Sequence, residues 1–202
     1  MKSKMLFAIA VMVLASGLVG APATWANSLT FQGVTFGLNI TGGGSTLSLT
    51  ISSTTGVTGD WAGVNGFAGF EVKNIGTGLT GLTLGGWTPF AFELNANGCQ
   101  GPGGGPNATC FIKNTAPTAF NSAGAFTLGP LNISKTGGTF DLTNNSLKVL
   151  FTTNGTTNTT TGAVTGKTGS LLSQHVGVPE PTSLLLLGAG LAGLGIWRRN
   201  KV

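Results

Sequence analysis

The sequence predicts an all-β body, an antiparallel β-sandwich of the jelly-roll sort, set between two short apolar terminal segments. Three observations carry that prediction. Apolar residues of the body alternate with Thr, Ser, Asn and Gly at a period of two. Glycine or asparagine clusters interrupt the runs at nearly every junction, and no body stretch shows an amphipathic helical period with caps. Short strands at such spacing favour a sandwich, or a barrel as second choice, over helical or α/β architectures. Gly33, Gly37 and Gly69 inside the runs mark bulges or close sheet approach, and no fixed-period repeat points to a solenoid.

The elements follow in chain order. Lys2 and Lys4 precede an apolar stretch, Met5 to Val19, and small residues follow at Ala21, Ala23 and Ala26. This is the layout of a signal peptide over residues 1–26, forming a signal helix and cut after Ala26, with Ala23 as second choice. The body then occupies 27–172, enough chain for one domain with its own core. Val34, Phe36, Leu38 and Ile40 alternate with polar residues, as do Leu47, Leu49 and Ile51 after the Gly42-Gly43-Gly44 turn, so a hairpin with one buried face is expected. Further strands are expected over 67–73, 79–84, 87–94, 126–133, 139–142 and 146–153.

Residues 152–162 contain no apolar side chain. They read as a solvated loop, a flexible stalk or an edge strand, and their threonines are candidates for O-linked modification. Leu171, Leu172 and Val176 are the last apolar residues of the body, and a linker is expected over 173–182.

The formal charge of +5 does not describe the body. Lys2, Lys4, Arg198, Arg199 and Lys201 all lie in the terminal segments, and the body is close to neutral. It has none of the clustered Lys and Arg that a polyphosphate backbone needs, so nucleic acid is excluded as a partner.

Cys99 and Cys110 flank a Gly/Pro-rich stretch over 100–109. An even cysteine count in an exported chain predicts a disulfide closing that loop, worth roughly 3 kcal/mol for about 12 residues by chain entropy. Neither cysteine has a His or carboxylate neighbour, so no metal site and no cofactor are expected. The single histidine, His175, falls in the linker, where it reads as a solvated residue that cannot complete a catalytic triad. Glu71 and Glu93 each sit within an apolar run. A facing pair could serve a glycosidase, but the plainer reading is two solvent-face residues, one beside Lys73. Asp60 and Asp141 stand alone, without the ligand spacing of a calcium loop. Catalysis is therefore not expected. Trp61, in the glycine-rich loop 56–69, and Trp87 are candidate glycan contacts through ring stacking, weighed against ordinary core packing.

The last segment, a tail over 183–202 preceded by a stiff tripeptide, organises the functional reading. Val178-Pro179-Glu180-Pro181 is followed by an uncharged run from Leu184 to Trp197, then by the membrane stop Arg198, Arg199 and Lys201. Basic residues directly after an apolar span set a cytoplasmic end. The 14 residues of the run make roughly 21 Å of helix against a hydrocarbon core of about 30 Å. A single transmembrane helix this short is a poor permanent anchor and suits a signal that is held and then cut.

Motif, span and basic end in this order resemble the PEP-CTERM sorting signal of Gram-negative bacteria, a tail also labelled an ice-binding protein C-terminal domain. The resemblance covers residues 178–201. It implies recognition by an exosortase in the inner membrane, processing near Pro-Glu-Pro, and delivery of the body to the cell surface or the exopolysaccharide matrix. Three readings of the body follow: a structural matrix protein, an exopolysaccharide-binding module using Trp61 or Trp87, and, third, a glycoside-active enzyme.

Overall fold

The computed structural model describes residues 27–103, 108–170 and 174–176. The expected signal helix and the tail, including Val178, Pro179, Glu180, Pro181, Arg198, Arg199 and Lys201, lie outside the described residues. The body is mostly β, every ladder is antiparallel, and no α-helix occurs among the described residues. In chain order the strands are β1 (Asn27–Phe31), β2 (Val34–Thr41), β3 (Thr46–Ser53), β4 (Gly66–Lys73), β5 (Gly76–Thr80), β6 (Trp87–Phe90) and β7 (Phe92–Asn95). There follow β8 (Gly98–Gly103), β9 (Ala108–Lys113), β10 (Thr118–Ala119), β11 (Phe126–Ser134), β12 (Gly137–Phe140), β13 (Ser146–Thr153) and β14 (Lys167–Ser170).

The first sheet has the order β1-β2-β3-β11. Its β1–β2 hairpin closes through Gln32 at φ 47° and Gly33 at φ 80°, the two positive values that a tight turn matched to strand twist requires. The anticipated β2–β3 hairpin is present, with Phe36 opposite Ile51 and Leu38 opposite Leu49, all four buried. β11 returns beside β3, not beside β1, so this sheet is a meander with a long return and lacks the Greek-key order of a jelly roll. Short turns keep β1 to β3 in one sheet, where a jelly roll would send the chain across.

The second sheet runs β14-β13-β4-β9-β6, with β10 pairing β4 as well. Val34, Phe36, Leu47 and Ile51 of the first sheet share one core with Phe67, Phe70, Phe111 and Phe151 of the second. Pro89 sits on β6, at the sheet edge, where a missing N–H costs no ladder bond.

Two sequence expectations change here, and one left open is decided. The single strand expected over 87–94 is two, because the chain leaves the second sheet after Phe90 and β7 pairs with β8 instead. The loop expected between the cysteines is largely strand: β8 runs to Gly103 and β9 starts at Ala108, next to β4. Of the alternatives open for the threonine-rich segment, the structure has a mostly exposed loop that folds back on itself. Thr157 bridges Val164, Thr157 Oγ1 donates to Thr115 O at 2.6 Å, and Val164 is buried.

The β7–β8 hairpin packs over β4, β9 and β13, on the face turned away from the first sheet. It closes a second, smaller core of Ala68, Leu94, Cys99, Cys110, Ile112, Leu150 and Val164. A strand buried on both faces has no polar side to show. That is why β4 is buried from Gly66 through Val72.

Candidate functional site

Parity along β4 decides what lies beneath the hairpin. Phe70 and Val72 enter the main core, so Glu71 and Lys73 project to the opposite face. Lys148 of β13 stands directly across from Glu71 in the ladder. Glu93 reaches the same spot from β7. Both ammonium groups converge on one oxygen, with Lys73 Nζ and Lys148 Nζ each 2.5 Å from Glu93 Oε1. Glu71 lies behind, its Oε1 3.3 Å from Lys73 and its Oε2 3.7 Å from Lys148. The Leu94 N–H donates to Glu71 Oε2 at 2.9 Å, tying the hairpin backbone to the sheet. Glu71 Oε1 receives no aligned hydrogen bond, so its approach to Lys73 is a charge contact.

Two positive and two negative groups thus form a neutral quartet. The Glu71 side chain is wholly buried, while those of Lys148, Lys73 and Glu93 are 12%, 20% and 27% exposed. Hydrogen bonds from Lys148 first and Lys73 second hold the Glu93 carboxyl down at about 2. Burial pulls the Lys73 ammonium downward, but Glu93 and Glu71 together outweigh it and leave its pKa raised. Glu71 is therefore not the solvent-face residue expected from sequence, because the hairpin covers it. A glycosidase acid needs a raised pKa at neutral pH. Glu93 is displaced in the opposite direction.

A cleft of about 240 Å³ opens beside the quartet, lined by Glu93, Lys148, Asn95, Ala96, Gly101 and Pro102. Phe92, also on β7, is half exposed. Among the described residues, no three His, Cys, Asp or Glu side chains come together as a metal-binding group.

The cysteines are joined: Cys99 on β8 is bonded to Cys110 on β9, so the bridge fixes the hairpin to the second sheet. The tryptophans are not where a sugar could stack on them. Trp61 is 1% exposed and Trp87 5%. Trp61 packs edge-on against Phe31, Phe36 and Phe151, and Trp87 against Phe67 and Phe70. The glycine-rich loop around Trp61 turns its ring inward, so of the two readings weighed for the tryptophans the structure has core packing. Asp141 instead caps a turn, accepting from the Thr143 hydroxyl at 2.6 Å and its N–H at 2.8 Å, which lowers its pKa.

The end of the body forms a second organised site. Part of the expected linker is docked. Gln174 and Leu147 exchange backbone hydrogen bonds at 2.9 and 3.1 Å. Asn145, buried just before β13, donates from Nδ2 to Leu142 O at 2.7 Å and to Val176 O at 3.0 Å. Its Oδ1 accepts from the Val176 N–H at 3.2 Å. The Val176 side chain is fully buried in the main core. His175 Nδ1 lies 2.7 Å from Asn145 O, so the ring is held to the body and is not a free linker group.

Sequence reasoning missed Asn145 and the role of Lys148. The β4–β13 register puts Lys148 opposite Glu71, a signal readable once those two strands are paired. Asn145 carries no comparable signal in this asparagine-rich chain.

A family model described as the PEP-CTERM protein-sorting motif matches residues 177–199. No curated protein and no solved structure matches the chain. The chain thus carries this motif at its C-terminus, beginning directly after Val176, and the motif implies an exported, membrane-sorted protein processed by an exosortase.

Proposed function

We propose that this chain is a non-enzymatic surface or extracellular-matrix protein of a Gram-negative bacterium. Its tail is held in the inner membrane until an exosortase processes it near Pro179-Glu180-Pro181. The observation that carries the reading is the motif at 177–199, following directly on a disulfide-closed β body. A two-sheet body with a common core, a third layer and a covalent tie suits life outside the cell, where thiols oxidise and no chaperone renews the fold. In this reading the body is a structural element of the exopolysaccharide matrix, making weak polar contacts through its Thr- and Asn-rich surface. The non-enzymatic part is supported by the engagement of Glu71 and Glu93 with Lys73 and Lys148, which together balance their charge. Stacking of polysaccharide on Trp61 or Trp87 has no support in the geometry, since both rings are packed inside.

The test is mass spectrometry of the mature protein from wild-type and exosortase-deficient cells. Loss of the Arg198-Arg199 end in the first, and its retention in the second, is the expected result. An exported wild-type protein that keeps those arginines would refute the reading.

A further inference from the structure

The sorting motif begins at Gly177, one residue after Val176, which is fully buried. Only Gly177 and Val178 separate that anchored residue from Pro179. Two extended residues span about 7 Å. An enzyme that cuts or transfers a peptide grips extended backbone on both sides of the reacting bond. Substrate segments are taken from the chain only where local opening frees them. If its cleft holds more than two residues upstream of Pro179, Val176 must leave the core and give up its bonds to Asn145.

We infer that Asn145 is a positioning residue for tail processing: its buried amide straps Gln174–Val176 to the body, and release of that strap sets the processing rate. Four observations meet here: the reciprocal Gln174–Leu147 pair, the Asn145 amide bonded to both backbone groups of Val176, the buried Val176 side chain, and the motif starting at the next residue. The same amide also satisfies Leu142 O, so strap and body share one hydrogen-bonding centre. The folded body is thereby held close to the membrane-bound enzyme, with little free chain between them. This inference rests on the exosortase reading above.

The experiment follows tail processing of the full-length chain by pulse-chase in exosortase-containing cells. Inserting about six Gly and Ser residues between Val176 and Gly177 leaves the strap intact and supplies the free chain the enzyme needs. Processing is expected to accelerate roughly tenfold, as much as release of the strap itself would give. Asn145→Ala removes two bonds to Val176 and is expected to accelerate it roughly tenfold. Hydrogen exchange of the Asn145→Ala protein should show lost protection at the Val176 amide while β4 and β9 stay protected. Adding Asn145→Ala to the insertion should give no further gain, a result that general loosening of the body would not produce. Unchanged rates in the insertion variant would overturn the inference even if Asn145→Ala fails to fold. A wild-type chain that is never processed would sink both this inference and the exosortase reading, whereas a processed chain indifferent to the insertion sinks only this one.

Discussion

Replacing Glu71 by glutamine tests whether the buried quartet holds the hairpin to the second sheet. At an effective dielectric of about 20, charges 3.3 and 3.7 Å apart attract by roughly 4–5 kcal/mol each. Most of that is offset by the several kcal/mol needed to bury the carboxylate, a penalty glutamine does not carry. Breaking a fully buried pair costs about 3–5 kcal/mol, but here both lysines keep Glu93 and reach some solvent. The expected loss is therefore about 2–3 kcal/mol. Glutamine can still accept from the Leu94 N–H, so the loss reports on charge rather than on an orphaned amide. Urea unfolding reads it directly: with a slope of about 1–3 kcal/mol per molar, the midpoint falls by roughly 0.7–3 M. Lys148→Met completes a double-mutant cycle, in which the pair of changes should cost at least about 1 kcal/mol less than their sum. A loss below about 0.5 kcal/mol, or strict additivity with Lys148→Met, would refute the reasoning.

Three further outcomes follow from the same structure. Glu93 is held at about 2 against an ordinary 4.5, so its contribution is complete above pH 4.5 and drains away as pH falls toward 2. Glu93→Gln should flatten the stability profile in that window, measured by denaturant midpoints across pH. Cys99→Ser with Cys110→Ser should cost about 3 kcal/mol, with exchange protection lost first in β7 and β8 rather than across both sheets. Trp61→Ala should cost about 3–5 kcal/mol in thermal or urea unfolding, the range for emptying an aromatic site in a core. Normal stability with weakened polysaccharide retention would put Trp61 back on the surface.

What could be read from the chain was whatever period two encodes. Val34, Phe36 and Leu38 against Leu47, Leu49 and Ile51 define a half-buried hairpin, and a register slip would expose the whole set. The signal fails where a strand is covered twice. Glu71 looks like the polar member of an alternating run, and only the hairpin folded over it makes it a buried charge. The break after Phe90 is equally silent, because Trp87, Phe90, Phe92 and Leu94 carry the apolar run across it while the partners change from β9 to β8. Trp61 shows a further limit: surrounding glycines announce a loop but not which way its aromatic ring turns. The sorting motif was legible because it is read by an enzyme as a linear string, needing no fold to be recognised. Asn145 was not, since its importance comes from a chain segment some thirty residues later docking upon it.

The bond between Cys99 and Cys110 has a temporal meaning as well as a mechanical one. Sulfur pairing waits for an oxidising compartment. Until export the two thiols stay unjoined, and nothing covalent ties β8 to β9. Arrival on the far side closes the latch. A protein that must first be pliable and afterwards durable thereby takes its cue to change from the chemistry of its destination.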